Sequence, residues 1–205
     1  MSVARLNRIV ERAVPILFDQ IEGGRVPVQS EASLQLHLGR IIMTVADLEM
    51  TSPRETFALE LEKPLGGGGR GRLDVWFRLT TGDGREWRCA MELKFFKKAS
   101  QAEPNNRHKT MLDIARLEKC GDVADTGFML VATDHPHYVE WGGYSPDTAD
   151  FDFRHGARYA AGTAMTYRTP GSKLPTITLR NDYEFAWTDA TRSLRYMLLP
   201  VATHT

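Results

Sequence analysis

Apolar residues open the chain at helical spacing: Val3, Leu6, Val10, Ala13, Leu17 and Ile21 recur every three or four positions, the repeat of a helix that buries one face. Pro15 falls inside this run and is expected to interrupt or restart the helix, since proline lacks an amide donor and crowds the preceding turn. Glu22-Gly23-Gly24 is expected to end it. Past a connector at 27–29, Ser30 is a natural N-cap for a second helix with the stripe Leu34, Leu38, Ile41, Ile42, Val45 and Leu48, stopped by Ser52-Pro53. The period then changes from about 3.6 to about 2. Phe57, Leu59 and Leu61 alternate with polar neighbours, as do Leu73, Val75, Phe77 and Leu79, and then Cys89, Met91, Leu93 and Phe95. Between the last two runs, Thr81-Gly82-Asp83-Gly84 has the chemistry of a tight turn, which predicts a β-hairpin.

Residues 105–119 read as another helix, with Met111, Leu112, Ala115 and Leu117 as contacts and Gly121 as its stop. The run GFMLVAT at 127–133 suits a strand buried on both faces. Residues 141–173 have no dependable period, while 176–179, 183–187 and 195–201 read as short strands. Helices, three strands, a helix and a strand predict an α/β (α+β) fold, a mixed β-sheet flanked by helices. A length of 205 residues, 42% hydrophobic and 25% charged, fits one domain. It would comprise N-terminal helices at 1–50, a core at about 30–135 and a C-terminal extension with strands at 136–205. Two cysteines cannot build a disulfide framework, no apolar run is long enough for a membrane span, and the charged N-terminus is unlike a signal-peptide core. The expectation is a soluble, cytoplasmic chain without membrane attachment.

The hairpin sets the candidate chemistry. If residues 82–84 form the loop, Thr81 pairs with Arg85, and the same register brings Asp74 opposite Glu92, with Cα atoms roughly 4.5–5.5 Å apart. Lys94 projects from the same face as Glu92. Like charges so close destabilise a sheet, and a hard divalent cation relieves the repulsion. On the second helix Glu31 points only about 35° from the centre of the apolar stripe, with Gln35 one turn on at its edge. A third carboxylate aimed inward strengthens the case for a metal site.

At these residues, RLDVWF followed 18 residues later by ELK resembles the Asp and Glu-x-Lys of the PD-(D/E)XK nuclease superfamily. The resemblance covers residues 30–135, including the helix Glu and the following helix and buried strand; Leu73 stands where the family's nominal Pro precedes the Asp. It implies a restriction-endonuclease-like core with mixed β-sheet flanked by helices, and an Mg²⁺- or Mn²⁺-dependent endonuclease. Asp74, Glu92, Glu31 and the Leu93 carbonyl would be metal ligands. Lys94 would be the catalytic lysine, and DNA is favoured over RNA.

Net charge is zero, but residues 70–109 hold ten basic residues against five acidic ones, a local excess suited to a phosphate backbone. Lys97, Lys98, Arg107 and Lys109 are the candidate phosphate contacts, and Trp76 is a candidate stacking platform. A homodimer or partner subunit could supply specificity that a chain of this length lacks room for. The run Gly66 to Gly69 lacks the Gly-Lys-Ser/Thr of a nucleotide-binding loop and reads as a connector. His135-Pro-His137 lacks a nearby acidic partner in sequence, Asp113 and Arg116 read as a surface or inter-helix pair, and Ser145 has no matching His-Asp set. The competing expectations are an inactive nucleic-acid-binding or assembly module on the same fold, and a protein-interaction domain whose Asp74, Glu92 and Lys94 are plain surface charges.

Overall fold

The structure is a computed structural model that describes residues 3–65, 71–99, 103–190 and 194–205. The glycine run 66–69 and Arg70 lie outside the described residues. Helix α1 (Val3–Glu22) is continuous, so Pro15 does not break it. Pro15 sits on the solvent face, where the bond it forfeits does not disturb the buried stripe of Leu6, Ile9, Val10, Ala13, Val14 and Leu17. The helix ends as expected: Gly23 N–H donates to the Asp19 carbonyl, and Gly24 takes φ 69°, which an L side chain resists.

Helix α2 (Glu31–Glu49) starts at the expected Ser30, whose hydroxyl accepts from Ser33 N–H while Ser33 Oγ accepts from Ser30 N–H. Its buried stripe is Leu34, Leu38, Ile41, Ile42 and Val45; Leu48, expected in the stripe, is exposed.

Strands β1 (Thr56–Pro64), β2 (Arg72–Thr80) and β3 (Glu86–Phe96) form an antiparallel meander. The hairpin register is the expected one: Thr80 faces Glu86, Val75 faces Met91, Thr81 N–H donates to the Arg85 carbonyl at 2.8 Å, and Gly84 takes φ 82°. Helix α3 (Glu103–Leu117) crosses over to β4 (Thr126–Thr133), which runs parallel to β3. The chain continues through a 3₁₀ turn at Pro136–Tyr138 and short strands β5 (Arg158–Tyr159), β6 (Ala164–Met165), β7 (Ile177–Thr178), β8 (Tyr183–Glu184) and β9 (Thr188–Asp189). It then returns as β10 (Arg195–Val201), antiparallel to β4. The six-stranded mixed sheet has the order β1-β2-β3-β4-β10-β9, so the architecture is α+β with helices on the sheet's faces.

Both faces of the sheet are covered. Val75, Phe77, Cys89, Met91, Leu93, Phe128 and Leu130 pack under α1 and α2. Trp76, Ala90, Met129 and Val131 pack under α3 and the segment 136–205. That second core covers the face on which the competing expectation made Asp74, Glu92 and Lys94 plain surface charges. Leu73 also changes sides, joining Trp76 rather than Val75, and Leu112 of α3 is exposed while Ile114 is buried. Glu118, fully buried just after α3, accepts from Arg180 N–H, Asn181 N–H and Tyr183 Oη and so clasps the late segment to the helix. Among the described residues no helix is long and apolar enough to cross a membrane.

Candidate active site

The site forms where the meander opens. The β2–β3 ladder stops at Val75–Met91, one register position short of Asp74 and Glu92. The β1–β2 ladder also skips the rung between Glu62 and Asp74, and Glu62 takes φ 54°, a left-handed conformation uncommon outside glycine. Side chains fill the gap. The Asp74 carboxylate accepts from Leu93 N–H at 2.6 Å. Gln35 of α2 donates to the Asp74 carbonyl at 2.5 Å and to Glu62 Oε1 at 3.1 Å, replacing the missing rung.

Around this opening the structure brings together every acidic residue expected there. Glu92 is 1% exposed, and the Asp74 carboxylate lies close enough to act on its charge. Glu31 is exposed as a residue, but its carboxylate turns back onto the sheet, accepts from Phe95 N–H at 3.2 Å and lies in the field of Lys94 and Asp74. Lys94 donates to the Leu93 carbonyl at 3.0 Å, so the proposed fourth ligand already has a partner.

Two residues of α3 close the site from the other side, contrary to the expectation of a surface pair. Asp113 is 2.9 Å from Lys94 Nζ, and Arg116 bridges Glu92 Oε1 at 2.7 Å and Asp113 at 3.0 Å. Asp113 is 8% exposed, in the helical row Thr110–Asp113–Leu117 whose other members are fully buried. That row was the available signal. Glu62 offered none, because its place here depends on a backbone irregularity.

The electrostatics follow from burial and crowding. Burial, then the neighbouring Asp74 charge, pushes the Glu92 carboxyl up to about 8 against the opposing pull of Arg116. Burial also raises Asp74 and Glu31, opposed by Leu93 N–H and Lys94 at the first and by Lys94 at the second. Burial pulls the Lys94 ammonium down, but Asp113, Glu31 and Asp74 outweigh it and hold its pKa above the ordinary value. Lys94 is therefore a fixed cation at neutral pH rather than a base, and Glu92 carries a proton.

The surrounding basic residues divide. Lys98 and Lys109 are exposed, and Lys97 is half-buried, with Nζ 3.4 Å from Gln29 Oε1. Arg107 is 3% exposed and lies between Tyr144, 4.0 Å from its ring centre, the Glu103 carboxylate and the His137 carbonyl. It is packing and cannot reach a phosphate. Trp76 is likewise no stacking platform: it is 6% exposed, its indole N–H donates to the Val123 carbonyl at 2.8 Å, and Lys63 covers its ring. Arg78 and Arg88 are engaged by Glu86 and Asp125, which reduces the basic excess read along the chain. No protein-family model, curated protein or solved structure matches this chain.

Proposed function

We propose that this chain is a metal-dependent nuclease hydrolysing phosphodiester bonds in nucleic acid, with DNA favoured over RNA, on a restriction-endonuclease-like core. The observation that carries the reading is the meeting of Asp74, Glu92 and Glu31 beside Lys94 at the break in the sheet. Those are the positions at which RLDVWF and ELK resemble the PD-(D/E)XK superfamily.

The residues fit a hard divalent cation. Glu92 Oε1 is buried without a directed hydrogen bond, the Arg116 contact being close but poorly aligned, and the proton on Glu92 stands in for positive charge that the pair of carboxyls calls for. Asp74 and Glu92 would hold Mg²⁺ or Mn²⁺, with Glu31 at its edge. Such an ion polarises a scissile phosphate and acidifies water. The chain's own groups supply the rest. Lys94, kept protonated by Asp113, offers an ammonium to developing negative charge on phosphate oxygen. Leu93 N–H and Gln35 fix the Asp74 side chain and its peptide, and Arg116 holds Glu92 in place. Lys97, Lys98 and Lys109 remain for the phosphate backbone.

A second reading, a non-catalytic nucleic-acid-binding module, is favoured by one feature: Arg116 and Lys94 already set two positive charges among the site's carboxyls without any metal ion. A cleavage assay on plasmid, linear and single-stranded DNA and on RNA, with Mg²⁺ or Mn²⁺ and with EDTA, separates the two. Metal-dependent cutting, abolished in Asp74→Ala and reduced by about 10²–10³-fold in Lys94→Ala, is the expected result. Binding that survives EDTA and both substitutions, with no cutting by any form, refutes the nuclease.

A further inference from the structure

We infer that Glu103, His135 and His137 form a second, separate cation site, selective for a borderline ion of the zinc type. It lies away from the carboxylate centre, where β4 runs out into the 3₁₀ turn beside the first residue of α3. One ligand atom from each residue lies within 4.8 Å of the others. His135 Nε2 is 2.6 Å and His137 Nδ1 3.4 Å from the same oxygen, Glu103 Oε1. Two imidazoles and one carboxylate converging on one point suit Zn²⁺, whose nitrogen and oxygen ligands stand about 2.0–2.2 Å from the ion. Mg²⁺ prefers an all-oxygen shell and is disfavoured.

The surroundings hold the ligands in place. Pro136 fixes the backbone between the two histidines. Arg107 contacts the other Glu103 oxygen at 3.4 Å and donates to the His137 carbonyl at 3.3 Å, orienting both from behind the site. His135 is buried against the Tyr138 ring, whereas the His137 side chain is 41% exposed and meets the half-exposed Trp141 edge-on. Among the described residues three protein ligands, one of them at the surface, leave a position open, as in sites that present water or a ligand rather than seal the ion away.

His135 Nδ1 accepts from the His137 backbone N–H at 3.3 Å, which leaves Nε2 facing Glu103 Oε1 at 2.6 Å. A neutral His135 ring coordinating through Nε2 carries its one proton on Nδ1, which opens this long, weak contact.

The test uses the full chain, stripped with chelator and titrated calorimetrically with ZnCl₂ at neutral pH, with Co²⁺ as a spectroscopic substitute. One Zn²⁺ per chain with sub-micromolar affinity, undiminished by millimolar Mg²⁺, is expected, together with the intense visible absorption of low-coordinate Co²⁺. Glu103→Gln and His137→Ala should each weaken Zn²⁺ by at least about 30-fold, with circular dichroism and melting confirming the fold; His137→Gln replaces the alanine variant if that fails to fold. Asp74→Asn should bind Zn²⁺ as the wild type does, so failure here is distinguishable from failure of the nuclease reading. No stoichiometric uptake, equal affinity in the Glu103 and His137 variants, or loss of uptake in Asp74→Asn overturns the assignment.

Discussion

Glu92→Gln makes the metal-free protein more tolerant of alkaline pH, by an amount that follows from where Glu92 sits. The carboxyl is 1% exposed and pushed from its ordinary 4.5 to about 8 by burial and by Asp74. A raised carboxyl pKa means that the folded state binds the proton more tightly than the unfolded chain does. Its stabilising effect is complete below about 4.5 and is lost as pH rises through about 8. Between these limits wild type loses about 1.4 kcal/mol per pH unit on account of this group. From about pH 5 to about pH 7 the loss is about 2–3 kcal/mol, and the whole window is of order 4–5 kcal/mol. Glutamine keeps the shape and titrates nowhere in this range, so the difference between the two proteins isolates Glu92, with the Asp74 coupled to it, from the remaining carboxyls. Urea unfolding in EDTA at a series of pH values, read by fluorescence and circular dichroism, measures it. The wild-type curve should fall relative to the variant across this window. Millimolar Mn²⁺ or Mg²⁺ should restore the wild type at the alkaline end and leave Glu92→Gln unmoved. Parallel stability curves for the two proteins between about pH 5 and about pH 9 would refute the crowded, proton-holding site.

Further outcomes follow from where the structure places these side chains. Glu55, buried with Arg5, is held at about 2 by the Arg5 hydrogen bond and by Thr51 N–H; Glu55→Gln should cost about 3–5 kcal/mol in urea unfolding at neutral pH. The same group should destabilise wild type as pH falls from 4.5 towards about 2. Trp76→Phe removes the donor to the Val123 carbonyl and should cost about 1–3 kcal/mol of stability, leaving the affinity of the folded protein for DNA unchanged; selective loss of DNA affinity would return Trp76 to the interface. Lys98→Ala and Lys109→Ala should each flatten the log–log salt dependence of DNA binding by about 0.9. Arg107→Met should leave that slope alone and instead lower the melting temperature.

Much of the framework was legible along the chain. Ser30 and Ser33 cap α2 through bonds spanning three residues, and Gly84 supplies the positive φ that sets the hairpin loop. Once that loop is three residues long, period-two alternation makes the later pairings arithmetic as far as Val75 and Met91, and leaves Asp74 and Glu92 one position beyond the last paired rung. These are local constraints, decided by nearby backbone geometry, and they sufficed to place the two carboxyls and Lys94. They did not reveal what covered them. Alternation distinguishes two faces of a strand, but whether the second face meets water depends on residues far away in sequence: α3, the late segment tied down by Glu118, and β10 beside β4. That covering layer buried Trp76 and Arg107 and left Leu112 outside the packed face. It also joined Asp113 and Arg116 to the Glu-x-Lys strand and set Glu103 against two histidines. The chemistry-bearing residue types were visible one by one; their neighbours were settled only when distant elements closed over the sheet, because burial and charge pairing act through space and leave no period in the chain.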